Sequence, residues 1–130
     1  MMETKDHKVG PATCRIRRCN AMPSSLHDSV REVACLHVPA SEQGKGYATT
    51  LMHRICRDAD VADIVLVLWP QPYGNDIAMS RDQLQAWYER EFGFAAVQPE
   101  PLMMARQPGG TPRLLRLNPV IEAMVKENSL

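Results

Sequence analysis

An uninterrupted apolar run, Ile-Val-Leu-Val-Leu-Trp at 64–69, is the feature of this sequence that most restricts its fold. A continuous run of aliphatic residues is typical of a strand that is buried on both faces of a sheet. Pro70 and Pro72 end the run, because a proline cannot donate a hydrogen bond to a neighbouring strand. The run is far shorter than the roughly 20 residues that a membrane helix needs. We therefore expect a central strand that is covered by helices.

Hydrophobic periodicity and turn signals predict further elements around this central strand. Apolar residues at helical spacing indicate a helix over 46–58. The pair Ser80 and Gln83 has the spacing of a capping box, which predicts a second helix from Ser80 to just before Gly93. A last helix is expected to begin at Asn118-Pro119. Alternating or short apolar segments predict strands at 13–18, 32–38, 94–97 and 102–105.

The order of these elements predicts an α/β or α+β fold with at least one crossover between strands. A chain of 130 residues, 45% of them hydrophobic, is expected to form one domain with its own core. We divide it into a flexible N-terminal arm at 1–12, a domain at 13–108 and a C-terminal extension at 109–130. The apolar side of the last helix has either the body of the domain or a second chain to pack on, which leaves a homodimer open.

Charge and cysteine content exclude several classes of function. The chain has 15 basic and 15 acidic residues, so it lacks the overall positive field on which non-specific nucleic-acid binding depends. The N-terminal residues are polar and show no signal peptide, so we expect a reducing, cytoplasmic location in which the four cysteines are free thiols. No Cys or His spacing is typical of a zinc site, so no metal is expected.

Two glycines, Gly44 and Gly46, lie between the strand predicted at 32–38 and the helix that follows it. Glycines here allow backbone amides to converge on an anion, and the start of a helix adds free N–H groups. A Walker loop is excluded, because Lys45 is followed by Gly46 rather than by Ser or Thr. A dinucleotide fingerprint is disfavoured, because Thr49 stands where a third small residue is needed. The glycines alone are equally consistent with a phosphate site and with a tight turn.

The residues around these glycines resemble a known family. Gln-Gly-Lys-Gly-Tyr-Ala at 43–48 is similar to the Q/R-x-x-G-x-G/A loop of the GNAT superfamily of N-acetyltransferases, and Val38-Pro39 ends the preceding strand as in many members. Trp-Tyr-Glu-Arg-Glu-Phe-Gly-Phe at 87–94 resembles the helix-then-strand motif of that family, and Met-Ala-Arg at 104–106 resembles its closing strand. The resemblance covers 31–106. It implies a mixed, mostly antiparallel sheet with a splayed central strand pair and flanking helices.

The resemblance also implies an activity, the direct transfer of the acetyl group of acetyl-CoA to an amine. Backbone groups at the end of the strand would contact the pantetheine and polarise the thioester carbonyl, and the loop amides would bind the pyrophosphate. The strand residues implied are Leu36, His37 and Val38. The implied loop residues are Gln43, Gly44, Lys45, Gly46, Tyr47, Ala48 and Thr49.

Tyr88 is the candidate general acid for the departing CoA thiolate, since a phenol with a pKa near 10 is protonated at neutral pH. The alternative is a core tyrosine at helical spacing from Leu84. Four residues separate Tyr88 from Gly93, where the family has three. An extra residue rotates a helical side chain by about 100° unless the helix end absorbs it. Tyr47 and Tyr73 are lower-ranked candidates for the same role.

Glu32 is the candidate general base, because it falls where histone-type members of the family carry a catalytic glutamate. The alternatives are an exposed strand carboxylate beside Arg31, His37 as the base, or a chain of waters with no protein base.

Only one strand is expected before Glu32, whereas full-length family members have more there. The acceptor groove is therefore expected to be open, which suits a lysine or N-terminus of another protein better than an enclosed small amine.

Two other classes of function are compatible with the sequence. The first is a non-catalytic module that binds CoA, which the reduced N-terminal part and the shifted Tyr88 would explain. The second is an interaction protein whose basic residues contact an acidic partner. Cys35 and Cys56 are expected to be thiols of the core. The basic residues that such an interaction protein would use are Arg15, Arg17 and Arg18 together with the segment 106–116.

Overall fold

A computed structural model describes residues 5–19, 28–70, 80–99 and 101–110 of the chain. Six strands and two α-helices occur in these ranges. The strands are β1 (Lys5–Val9), β2 (Ala12–Arg18), β3 (Val30–His37), β4 (Val65–Leu68), β5 (Ala95–Pro99) and β6 (Leu102–Arg106). The helices are α1 (Tyr47–Ala62) and α2 (Arg81–Phe92), and a short 3-10 helix covers Ala40–Glu42. The predicted last helix, and the loop with Tyr73, lie outside the described residues.

The strands form one sheet with the order β1-β2-β3-β4-β6-β5. Its neighbouring strands are antiparallel except β3 and β4, which are parallel and joined through α1. The prediction of a mixed fold with a crossover is confirmed, as are the strands and helices expected between residues 13 and 105. Helix α1 runs further than predicted, to Ala62, because Ala59 continues its buried side.

Residues 5–9 form β1, where a loose arm was expected, so two strands rather than the expected one precede Glu32 in the described residues. Gly10 and Pro11 make a two-residue turn between Val9 and Ala12, which pair across the hairpin. Gly10 has φ +54°, and hairpin loops of this length favour glycine at their first position. His7 is buried at 8% exposure and Val9 packs against the core, so the strand has one buried side despite its polar composition.

Strand β4 lies between β3 and β6, and all its residues are buried, which confirms the central strand predicted from the apolar run. Leu66 and Leu68 belong to a large cluster on the face of the sheet where both helices pack. Val65 and Val67 belong to a second, smaller cluster with Val30, Met103 and other sheet residues. Because successive side chains of a strand point to opposite faces, the second cluster lies on the face opposite the helices.

Strand β3 continues beyond its pairing with β4. The parallel ladder joins Val30 to Val65 and ends where Glu32 pairs with Val67, whereas β3 runs on to His37 beside β2. Between Ala34 and His37 the register with β2 shifts by one residue, and Cys35 lies in this bulge with φ +57°. Cys35 is exposed, so its prediction as a core thiol is wrong, because the bulge turns its side chain out of the alternation. Cys56 is buried as predicted.

The ends of both helices are fixed to β6 by one arginine. Arg106 donates from Nε to the Phe92 carbonyl over 2.7 Å and from Nη1 and Nη2 to Asp60 over 2.7 and 3.1 Å. The backbone N–H of Gly109 donates to the same carboxylate over 2.8 Å. The hydrogen bond from Arg106 lowers the pKa of Asp60 below its usual value, so this carboxylate is ionised at neutral pH and binds α1 to β6.

Candidate functional site

The loop between β3 and α1 contains two glycines with positive φ. Gly44 and Gly46 have φ +82° and +85°, a region that side chains rarely adopt. A Cβ built on either glycine would have no heavy atom within 4 Å. The positive φ angles account for the glycines on their own, as the tight-turn interpretation requires. The open space beside them is an additional property, and it leaves room for a ligand.

The first turn of α1 has no capping side chain. Gly46 is the N-cap and makes no side-chain hydrogen bond, and the first turn contains no acidic residue. The first N–H that donates to Gly46 is that of Thr50, over 3.0 Å. The N–H groups before it have no carbonyl within the helix to bond to, and together with the helix dipole they favour an anion at this end. The loop and helix start can therefore hold a phosphate group through backbone atoms.

Side chains of the loop hold it in place and balance its charge. Gln43 donates from Nε2 to the Val38 carbonyl over 3.1 Å, which ties the loop to the end of β3. Lys45 forms an ion pair with Glu42 over 3.0 Å, and this hydrogen bond raises the pKa of Lys45. Because Glu42 compensates the charge of Lys45, attraction for an anion depends chiefly on the backbone.

The pairing of β3 with β4 ends at Glu32, and the last residues of β3 lie beyond it. Leu36 is half-buried, His37 is exposed and Val38 is buried. The carbonyl of Val38 accepts the bond from Gln43, so strand end and loop form one continuous unit. The predicted strand residues and the predicted loop residues, which are neighbours in the sequence, are thus also connected by a hydrogen bond.

Glu32 is half-buried and forms an ion pair with Arg17, whose Nη2 lies 3.0 Å from Oε2. Glu32 is thus an ion-paired strand carboxylate rather than the exposed one that the alternative interpretation expected. Glu32 pairs with Val67 across the ladder, and paired residues point to the same face. Since Val67 belongs to the cluster away from the helices, Glu32 points to that face too. The alternation of Arg15 and Arg17 along β2 was the available signal for this contact, although these residues were interpreted only as part of a basic cluster.

Tyr88 is 6% exposed and packs in the helix-side cluster. Its ring centroid lies 5.0 Å from that of Trp87 and 5.5 Å from that of Phe94. Burial raises the pKa of Tyr88 well above its usual value, and the nearby thiols of Cys14 and Cys56 act in the same direction. The phenol is thus protonated throughout the physiological range. Tyr88 and Glu32 lie on opposite faces of the sheet, so the structure does not bring the two catalytic candidates together.

The last turn of α2, between Tyr88 and Gly93, is wider than a regular α-helical turn. The N–H of Gly93 donates to the Tyr88 carbonyl, five residues earlier, instead of to a carbonyl four residues earlier. The N–H of Phe94 donates to the same carbonyl over 3.3 Å. A turn closed in this way holds one residue more than an α-helical turn. The helix end therefore holds four residues between Tyr88 and Gly93 within one wide turn.

Tyr47 is the first residue of α1, and its half-buried ring lies against Gly10 in the β1–β2 turn. This contact could not be predicted, because nothing in the local sequence pattern relates two residues so far apart in the chain. Tyr73 lies outside the described residues.

Comparison with protein-family models, with curated proteins and with solved structures finds no match for this chain. Within the described ranges, no three or more His, Cys, Asp or Glu residues form a group that could hold a metal ion. Neither described helix is long and apolar enough to cross a membrane. The fold and site thus define a mixed α/β domain with an open glycine loop at a helix start.

Proposed function

We propose that this protein is an N-acetyltransferase of the GNAT type, which moves the acetyl group of acetyl-CoA to an amine by direct transfer. The observation that carries this proposal is the open glycine loop at the uncapped start of α1. The loop has the residues of the GNAT phosphate-binding motif, and its backbone geometry suits an anion.

The sheet around the loop supports the same proposal. The GNAT resemblance implies a central strand pair that separates at the end where the loop begins. Here β3 and β4 are parallel and joined through α1, and their pairing ends at Glu32 and Val67 although β3 continues to His37. Because β4 itself ends at Leu68, the end of β3 next to the loop has no ladder partner in β4.

In the proposed reaction, the loop and the end of β3 bind acetyl-CoA. The N–H groups from Gly44 to Thr49 receive the pyrophosphate, and the open space over both glycines admits it. Backbone groups of Leu36, His37 and Val38 contact the pantetheine and the thioester carbonyl. A backbone N–H aimed at that carbonyl stabilises the charge that develops on its oxygen during attack.

Tyr88 is the proposed acid in this scheme. Its raised pKa keeps the phenol protonated at neutral pH, but it also makes Tyr88 a weaker proton donor to a thiolate than an exposed tyrosine would be. The wide last turn of α2, closed by N–H groups of Gly93 and Phe94 on the Tyr88 carbonyl, is compatible with one residue more than the family's spacing. Proton transfer from Tyr88 requires the thiolate to reach the helix side of the sheet.

The acceptor amine must lose a proton before it attacks. A lysine side chain has a reference pKa near 10.4, so its neutral form costs roughly 4 to 5 kcal/mol at pH 7. Glu32, held by Arg17 on the opposite face, or the exposed His37 would take this proton, directly or through water. We propose a lysine or an N-terminus of a cytoplasmic protein as the acceptor.

A second candidate function, a CoA-binding module without turnover, is favoured by one specific observation. Tyr88 is enclosed by aromatic rings on the helix side, whereas Glu32 is engaged by Arg17 on the other. The loop geometry is the same under both functions, so binding alone does not separate them.

Calorimetric titration with acetyl-CoA tests the shared part of both functions. Gly44→Asn and Gly44→Asp are matched in shape, and Asn and Asp both tolerate positive φ, so they differ mainly in charge. Two unit charges 4 Å apart interact by about 1 kcal/mol in water and about 4 kcal/mol near a protein surface. We expect Gly44→Asp to bind about 10-fold or more weakly than Gly44→Asn. Equal affinities of the two variants, or no binding by the unsubstituted protein, would refute an anion site at this loop.

Turnover separates the two functions. The protein is incubated with acetyl-CoA and a panel of lysine peptides, peptides with free N-termini and small amines, and released CoA thiol is measured. Release that requires a peptide and is lost in Gly44→Asp supports the acetyltransferase. Binding without release for any acceptor supports the module, and a clear preference for small amines contradicts the proposed protein acceptor.

A further inference from the structure

The turn of the β1–β2 hairpin touches the start of α1. A Cβ on Gly10 would lie 2.8 Å from Cε1 and 3.0 Å from Cδ1 of Tyr47, closer than real side chains approach. Gly10 also has φ +54°. The absence of a side chain at Gly10 is therefore what allows the ring of Tyr47 to lie on the turn.

Tyr47 links this turn to the glycine loop. It follows Gly46, the N-cap of α1, and its own N–H is one of those free to bind an anion. Its ring also packs against the helix-side core. Because the ring contacts both the turn and the core, a group at Gly10 that displaces the ring would also disturb the residue from which α1 begins.

We propose that Gly10 is a positioning residue for the glycine loop, which acts through the ring of Tyr47 to set the first turn of α1 for binding acetyl-CoA. This inference rests on the proposed function. It assigns to the β1–β2 hairpin a part in the cofactor site, although the hairpin contributes none of the residues of the GNAT motif.

The test is a double-mutant cycle in acetyl-CoA affinity, measured by calorimetry on the full chain. The variants are Gly10→Ala, Tyr47→Ala and the two combined. Gly109→Ala is the matched control, because Gly109 also has positive φ, +89°, but a Cβ there would meet no atom within 4 Å. Thermal unfolding of every variant without ligand shows that each is folded at the temperature of the titration.

We expect Gly10→Ala to weaken acetyl-CoA binding by about 5-fold or more, which corresponds to about 1 kcal/mol. In the Tyr47→Ala background the methyl group has room, so the same substitution should leave the affinity unchanged. Gly109→Ala should bind as the unsubstituted protein does. Rescue of this kind is not expected if Gly10→Ala only strains the hairpin.

The outcomes separate this inference from the proposed function. If the unsubstituted protein does not bind acetyl-CoA, the proposed function fails and the inference fails with it. If it binds, and Gly10→Ala binds equally well or loses the same affinity in both backgrounds, only the positioning role of Gly10 is refuted.

Discussion

Individual side chains in this protein differ from their neighbours mainly in how deeply they are buried. His7 is buried on β1, and its Nε2 has no hydrogen-bond partner. Cys35, by contrast, is exposed at a bulge in β3. Neither state could be read from the sequence, because the position of a bulge depends on the register between strands. The glycine loop, by contrast, could be located from the sequence, because its motif lies within one short segment.

Because His7 is buried, we expect the protein to lose stability in mild acid. Burial lowers its pKa below the usual 6.5, and the neighbouring Lys5 acts in the same direction. The unfolded chain therefore takes up a proton below pH 6.5 that the folded chain does not, and the free energy of unfolding falls as the pH decreases. For this group the slope is at most about 1.4 kcal/mol per pH unit.

Urea unfolding of the unsubstituted protein and of His7→Leu at pH 7.5 and pH 5.5 measures this effect. The difference between the two proteins is the readout, since their carboxylates titrate alike. We expect His7→Leu to gain stability relative to the parent at the lower pH. A difference that is the same at both pH values would show that His7 is not the sensitive group.

Tyr88→Phe distinguishes a catalytic phenol from a core ring. The ring contacts with Trp87 and Phe94 survive the substitution, so the melting temperature should change little. If Tyr88 is the acid, kcat should fall by about 100-fold while KM for acetyl-CoA stays constant. Steady-state kinetics of CoA release with the best peptide acceptor measures both. An unchanged kcat would assign Tyr88 to the core alone.

At the scale of elements, the sequence predicted those with strong local signals. The apolar run of β4, the periodicity of α1 and the capping box of α2 are each contained in a short window. Strand β1 was missed, because its residues are mostly polar and its stability comes from pairing with β2 and from packing on one side only. The turn residues Gly10 and Pro11 were the local signal for this hairpin.

The capping box predicts a measurable contribution of Ser80 to the stability of α2. The hydroxyl of Ser80 accepts from the Gln83 N–H over 3.2 Å, and the Gln83 side chain accepts from the Ser80 N–H over 2.9 Å. Ser80→Ala should cost about 1 kcal/mol in the free energy of unfolding. Ser80→Asp, which keeps an acceptor oxygen, is the control and should cost at most a few tenths. Urea denaturation tests both, and equal losses would show that the cap is not what stabilises the helix start.

At the scale of the whole molecule, one sheet separates two apolar clusters, and both described helices lie on the same face. The class of fold followed from the order of predicted elements, whereas the strand order required contacts between distant segments. The same difference between local and distant signals applies to the candidate site. Its loop is continuous in sequence, but the faces on which Glu32 and Tyr88 lie depend on the register of the sheet.

The contacts of Arg106 indicate how strongly the packing of the two helices depends on β6. Its side chain is 8% exposed, and it bonds to Asp60 on α1 and to the Phe92 carbonyl of α2. Arg106→Lys loses the two-point contact with the carboxylate, and we expect a loss of about 2 to 3 kcal/mol, since Asp60 is partly exposed.

Arg90→Lys is the matched control, because the Arg90–Glu91 pair is well exposed. It should change the free energy of unfolding by less than about 0.5 kcal/mol. Chemical denaturation at pH 7 compares the two substitutions, and similar effects would contradict a central role for Arg106.

The bulge at Cys35 also provides a chemical handle. Of the four thiols, the other three are buried, and burial raises the pKa of Cys14 to about 12 and that of Cys56 to about 11. A maleimide dye should therefore attach to the native chain at a single position, without any engineered cysteine. That position is followed directly by Leu36, His37 and Val38, so the emission of the attached dye would report when the end of β3 takes up a ligand.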